Sequence, residues 1–202
     1  MQRVLLTGAA GHVGGYLRES LRDVYPVLRL TDCQNLSPAG SGEEVCQADL
    51  SDAAAAEQVV ANCDAIVHFG AISAEDEWES ILKNNVIATY NIFEAARRCG
   101  VHRIVFASTL HVTGFYPCSQ TIDSSMPVRP DSRYGVSKVF GEALGRLYAD
   151  KHNLGCVCLR IGTFAPKPRG ERMLSTWISP RDTTQLIRRS LDAADIHFEI
   201  LY

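Results

Sequence analysis

Apolar residues along this chain fall into short buried-strand runs separated by amphipathic stretches. RVLLT (3–7) is the first such run, and AGHVGGYLRESLRDV follows as a helix with apolar residues at 13, 17, 21 and 24. PVLRLTD (26–32) predicts a second strand, and a Ser/Pro/Gly loop (37–42) leads into EVCQADL, a third. SDAAAAEQVVANC offers Ser51 or Asp52 as an N-cap before strong helix formers. DAIVHFGA (64–71) predicts a fourth strand, and the helical stretch from about Trp78 to Arg98 ends at Gly100, a C′ residue. HRIVFAST is a fifth strand; a Pro/Ser/Asp-rich loop (116–132) then precedes a helix from Arg133 to about His152. GCVCLRIG is a sixth strand. After residue 162 the alternation gives way to loop, up to a helix near 180–194 and a seventh strand candidate in IHFEILY.

Strands alternating with helices imply α/β architecture: a parallel sheet of about seven strands, doubly wound by right-handed crossovers. With 202 residues the chain suits one domain, and residues 163–202 are expected to form a small substrate-binding portion. Domains seldom end on an apolar strand residue, so the expectation is a truncated chain or a fragment of a longer gene product.

Composition narrows the function. Hydrophobic content of 46% with 21% charged residues is that of a soluble globular protein. A net charge of −3 argues against nucleic-acid and anionic-membrane partners. No apolar run approaches the roughly 20 residues that span a bilayer, and MQRVLLTGAAG is a poor signal peptide, so the expected location is the cytoplasm. The seven cysteines read as free thiols in a reducing compartment. Cys156 and Cys158 share a strand face, as a packed core pair rather than a metal pair.

TGAAGHVG (7–14) places Gly8, Gly11 and Gly14 between the first strand and its helix. Such glycines allow a tight turn, approach of backbone N–H groups to a pyrophosphate, and close helix–sheet packing. Ala10, His12 and Val13 complete this expected cofactor-binding turn. Asp32, at the end of the second strand, would accept hydrogen bonds from ribose hydroxyls and repel a 2′-phosphate, which favours NAD over NADP. The sheet is therefore read as Rossmann-like. Tyr134 and Lys138, four residues apart on one helix face, form a candidate proton-transfer pair, since a nearby ammonium favours the phenolate.

TGAAGHVG, Asp32, Asp49-Leu50, HFGA (68–71), NNV (84–86), FASTLHVTG and YGVSK together resemble the extended short-chain dehydrogenases/reductases over residues 1 to about 165. The resemblance implies that Asp49 and Leu50 contact adenine and that Gly70 and Ala71 line the cofactor groove. It also makes Asn85 the helix asparagine near the active site, counted with the cofactor-binding residues, and has Lys138 hold the nicotinamide ribose. Its third catalytic member is a hydroxyl residue five positions before a glycine, which makes Thr109 preferable to Ser108.

RIGTFAPKPRGERMLSTW, GAIS (70–73) and the His-containing segment at 108–111 further resemble uronate dehydrogenases, which oxidise galacturonate or glucuronate to an aldarolactone with NAD. On that resemblance the substrate is a small anionic sugar acid. Arg172 binds its carboxylate, and Ser73, His111 and Thr163 bind ring hydroxyls alongside Thr109 and Tyr134. The plainer alternatives are a surface salt bridge of Arg172 with Glu171 or Asp182, and a structural His111. Leu110 stands where an Asn is usual, and Thr163 replaces a usual Ser. By analogy with extended members, the helices at about 78–98 and 133–152 would pair across a two-fold axis in a homo-oligomer. No metal is expected.

Overall fold

The structure, a computed structural model, describes residues 1–202 apart from the side chain of Arg172. Seven strands form one parallel sheet in the order β3-β2-β1-β4-β5-β6-β9. They are β1 (Arg3–Thr7), β2 (Val27–Asp32), β3 (Glu43–Gln47), β4 (Ala65–His68), β5 (Arg103–Thr109), β6 (Gly155–Ile161) and β9 (Phe198–Leu201). The order reverses between β1 and β4, which opens a crevice at the carboxyl ends of those strands.

Alternation along each strand divides the core into two layers. Leu5, Ile66, Ile104, Phe106, Cys156 and Cys158 face α2 (Ala53–Val60), α4 (Ala88–Arg98) and α5 (Arg133–His152). Val4, Leu6, Val67, Val105, Val157 and Leu159 face α1 (His12–Leu21) and α7 (Pro180–Asp192). The two strand cysteines are buried on one face, 3.8 Å apart, and all seven cysteines are free thiols.

Helix starts follow local chemistry. Asp52, rather than Ser51, caps α2 by accepting from the N–H groups of Ala54 and Ala55. Ser132 and Ser179 cap α5 and α7 in the same way. Gly100 follows α4 at φ +73°, the left-handed conformation expected of a C′ glycine.

Three expectations need correction. The third strand stops at Gln47, because the Asp49 carboxylate takes hydrogen bonds from the N–H and hydroxyl of Ser51 and turns the chain toward α2. The stretch from Trp78 to Arg98 is α3 (Trp78–Ile81), a π-helical turn (Leu82–Ile87) and α4. The segment after residue 162 is not simply loop. β7 (Thr163–Phe164) pairs in parallel with β8 (Trp177–Ile178), with a one-turn helix α6 (Glu171–Leu174) between them. Two-residue strands leave no readable period, and the Trp177 indole N–H to the Ala165 carbonyl, 2.7 Å, helps hold them.

Candidate active site

The turn after β1 is a backbone cradle. Gly8 has φ +71°, and a Cβ there would lie 2.7 Å from the Gly70 nitrogen. A Cβ on Gly14 would lie 1.9 Å from the Gly8 carbonyl oxygen. No side chain fits at either position, so α1 starts directly behind the turn. Asp32 stands beside it, with one carboxylate oxygen accepting from the Ala10 N–H at 3.0 Å and the other from the Gln34 N–H at 3.0 Å. His12 and Tyr16, on the first turns of α1, pack edge-on against Phe164 of β7. The segment after β6 thereby comes to lie against the start of α1.

The opposite wall is the segment after β4. The Thr7 hydroxyl accepts from the N–H groups of Phe69 and Gly70 at 3.1 and 2.9 Å, which ties Gly70 and Ala71 to the end of β1. Beyond them, the Asn85 side chain accepts from the Ile72 N–H (2.8 Å) and donates to the Ile72 carbonyl (2.9 Å) and the Ser137 hydroxyl (3.0 Å). Asn85 is 1% exposed, and this set commits its amide to bracing the Ile72 loop against α5. Ser73, next in the chain, is exposed.

Beyond β3, Asp49 pairs with Lys83 of the π-helical turn at 2.9 Å. That bond first, and Ser51 second, hold its carboxyl down to about 2. Leu50 instead belongs to the buried core.

The sequence preferred Thr109 to Ser108 on spacing, and the geometry gives the two hydroxyls different surroundings. The Ser108 hydroxyl is buried and donates to Glu142 at 2.6 Å. Thr109 ends β5 and caps the 3-10 turn Leu110–Thr113, with its hydroxyl on the side of the Tyr134 phenol. Burial pushes that phenol above its ordinary value, and the nearby Thr109 hydroxyl pulls it back. The Lys138 Nζ lies 5.7 Å from the Tyr134 ring centroid and 4.9 Å from that of Phe106. Burial brings the Lys138 ammonium down to about 8. In the ligand-free protein, desolvation therefore dominates both groups, and the expected lowering of the phenol by its lysine is not what the structure shows.

His111 places its ring edge-on to Tyr134 at 5.7 Å, and its Nδ1 meets the Asp131 carboxylate at 2.9 Å. Thr163 shares a hydroxyl contact of 3.1 Å with Thr176. Lys167 and Arg169 are exposed, and Arg172 belongs to α6, its side chain outside the described residues. Glu75 was not foreseen: it accepts from the Tyr134 N–H at 3.3 Å and lies 3.7 Å from Arg133. The acidic run at 75–77 was its only signal. Among the described residues, no group of three or more His, Cys, Asp or Glu is placed to hold a metal ion.

A side-chain-free cradle at the sheet's reversal point, an acidic residue beside it, and a Thr–Tyr–Lys set nearby define a dinucleotide-dependent oxidoreductase of the short-chain type. The chain belongs to the NAD dependent epimerase/dehydratase family, whose model matches residues 4–188. It is 46% identical over 201 residues to the uronate dehydrogenase of Pseudomonas syringae pv. tomato, covering 99% of this chain and 73% of that protein. It is 50% identical over 187 residues to the uronate dehydrogenase of Agrobacterium fabrum, covering 93% and 71%. A crystal structure of uronate dehydrogenase from Agrobacterium tumefaciens matches with TM-score 0.97 and 47% identity, covering 100% of this chain and 76% of that one. A tyrosine-to-alanine variant of that enzyme, complexed with NAD, matches with TM-score 0.97 and 46% identity, over the same shares. Among the described residues, no helix is long and apolar enough to cross a membrane.

Proposed function

We propose that this protein oxidises a hexuronic acid, galacturonate or glucuronate, at its anomeric hydroxyl with NAD, giving an aldarolactone. The observation that carries the reading is the Thr109–Tyr134 hydroxyl pair at the carboxyl end of β5, in a chain 46–50% identical to uronate dehydrogenases. A relative 34% identical over 218 residues, the L-arabinose 1-dehydrogenase of Haloferax volcanii, supports oxidation at carbon 1.

The residues present fit NAD. The turn with Gly8, Gly11 and Gly14 would receive the pyrophosphate, Asp32 the adenosine ribose, and Gly70 and Ala71 the far wall of the groove. NAD supplies the hydride acceptor when bound. Thr109 holds the anomeric hydroxyl against the Tyr134 phenol, and Tyr134 as phenolate takes its proton. Lys138, whose ammonium persists below about pH 8, donates to the ribose and stabilises the phenolate. Arg172 clamps the sugar carboxylate with its planar fork, while Ser73, His111 and Thr163 select among ring hydroxyls. Asp131 on Nδ1 orients the His111 ring toward that task. Of the expected substrate-binding portion at 163–202, the β7–α6–β8 segment then serves that role, since α7 and β9 belong to the central core and sheet. Pairing of α4 and α5 with those of a second copy, and residence in the cytoplasm, belong to the same reading; seven free thiols support a reducing compartment.

The test is NADH formation with NAD plus galacturonate or glucuronate, beside UDP-glucose and the neutral parent sugars. Turnover of the uronates alone supports the reading, and turnover of a nucleotide sugar instead overturns it. Tyr134→Phe should abolish turnover while leaving NAD bound. Arg172→Ala should raise KM for uronates and spare NAD affinity.

A further inference from the structure

One helical turn beyond Lys138, a second polar set is buried between α5 and the sheet. Glu142 and Arg160 are 4% and 3% exposed and are joined by two hydrogen bonds of 2.8 Å, Nε to Oε1 and Nη2 to Oε2. The Ser108 hydroxyl donates to the same Oε1 at 2.6 Å. Ser108 and Arg160 face each other across the β5–β6 ladder, so one carboxylate of α5 grips both strands. The remaining Arg160 Nη1 reaches the Tyr202 hydroxyl, with the guanidinium 5.1 Å from that ring centroid.

Stability alone is a poor reason for this arrangement, because a buried ion pair seldom outperforms an apolar pair of similar volume. The rest of the α5 contact suggests what the pair adds. Gly141 and Gly145 bring the helix onto the sheet so closely that added Cβ atoms would lie 2.1 Å from the Phe106 ring and 2.6 Å from the Cys156 sulfur. Glycine faces permit close approach but interlock weakly along the helix axis. Directional bonds from Glu142 supply that axial lock. Tyr134, Lys138 and Glu142 are spaced four apart on one face of α5, and Ser108 directly precedes Thr109. Adjacent positions on β5 thus face α5 two turns apart, Ser108 bonded to Glu142 and Thr109 on the side of Tyr134.

We propose that Glu142, held by Arg160 and Ser108, is a positioning residue that sets the register of α5 and so keeps the Tyr134 phenol on the Thr109 hydroxyl. This deepens the oxidoreductase reading and rests on it for its kinetic consequence. Loss of the lock lets α5 slide along β5, and a misplacement of about 1 Å at the reacting oxygen costs on the order of 100-fold in rate.

The experiment compares Ser108→Ala, Arg160→Lys and the double variant Glu142→Gln with Arg160→Met, which leaves no unpaired buried charge. For each, kcat and KM with galacturonate, NAD affinity by fluorescence quenching and the thermal midpoint are measured. The pH at which Tyr134 ionises is followed in ligand-free protein by NMR of labelled tyrosine, with Tyr134→Phe identifying the signal. We expect kcat to fall about 10-fold in Ser108→Ala and about 100-fold in the double variant, with KM and NAD affinity within about two-fold. Tyr134 should ionise at higher pH as the Thr109 hydroxyl is drawn away from it, and Arg160→Lys should retain more kcat than the double variant. A folded double variant with wild-type kcat and Tyr134 ionisation overturns the proposal, as does a loss shared equally by KM and NAD affinity. If the double variant does not fold, Ser108→Ala decides by the same criteria. If the wild type turns over no uronate, the functional reading fails, while the Tyr134 ionisation comparison still decides the register lock.

Discussion

The Thr7 hydroxyl lies 2.8 Å from Nδ1 of His68, and the proton between them belongs to the threonine. Thr7 already accepts from the Phe69 and Gly70 N–H groups, so its own hydrogen is left for the ring nitrogen. That makes Nε2 the protonated nitrogen, donating to Thr89 at 3.2 Å. Burial, with nearby Lys138, drives His68 down to about 3, so the ring is neutral across the working range. The two walls of the cofactor groove are joined through this relay. Thr7→Val keeps the shape but orphans two part-buried N–H groups and the buried ring nitrogen. It should cost about 1–3 kcal/mol of stability and weaken NAD binding about 10-fold. Urea unfolding and NAD titration check both.

Gly14→Ala should destabilise the protein by about 1–3 kcal/mol or more and abolish measurable NAD binding, because the backbone oxygen of Gly8 cannot move aside. Gly15 provides the control. Nothing lies within 4 Å of a Cβ placed there, so Gly15→Ala should stabilise α1 by about 0.5–1 kcal/mol. Thermal melts of the pair, followed by NAD titration, distinguish steric loss from a general effect of substitution in this turn.

Lys138 should cost stability in the absence of ligands. Its folded pKa of about 8 lies below the ordinary 10.5. Below pH 8 the folded protein protonates a buried amine that the unfolded chain protonates in water, so the cost is fully present there. It fades as pH rises from 8 to 10.5. Lys138→Met should therefore stabilise the ligand-free protein by on the order of 3 kcal/mol at neutral pH while abolishing turnover. Urea midpoints across that pH window check the prediction, and an unchanged midpoint at pH 7 would sink it.

Glu43 behaves in the opposite sense. Its bonds to Arg18 first, and then to the Gly40 N–H and Arg22, hold its carboxyl down to about 2 against an ordinary 4.5. The carboxylate contributes stability above pH 4.5, and that contribution is lost as pH falls toward 2. Glu43→Gln should cost roughly 1.5–3 kcal/mol at neutral pH and flatten the acid-unfolding curve between those values. Arg18 also donates to Ser37 and Pro38, so the loop beside Asp32 should loosen, raising the NAD dissociation constant as well.

Much of the site was legible because its chemistry is local. Gly8 and Gly14 announce a turn that admits no side chain, and Tyr134 and Lys138 share a helix face through a fixed four-residue spacing. Asp32 could be placed because a parallel strand must end where the crevice opens. Asn85 was found by its motif, yet its hydrogen bonds tie down a loop rather than face outward into the groove. Such a role depends on which backbone a neighbouring segment presents.

Periodicity, caps and spacing are properties of a few consecutive residues, so the sequence by itself determined the order of the main strands and helices, the doubly wound class and the candidate catalytic side chains. The tertiary structure alone showed what stands opposite Ser108 and Thr109, since adjacent hydroxyls differ only in their surroundings. It also paired β7 with β8, inserted the π-helical turn at Asn85 and buried the Glu142–Arg160 bridge. Each of these rests on contacts between residues distant in the chain or on the packing around them, and desolvation of Tyr134 and Lys138, which reverses the expected shift of the phenol, exists only once the core has closed around them.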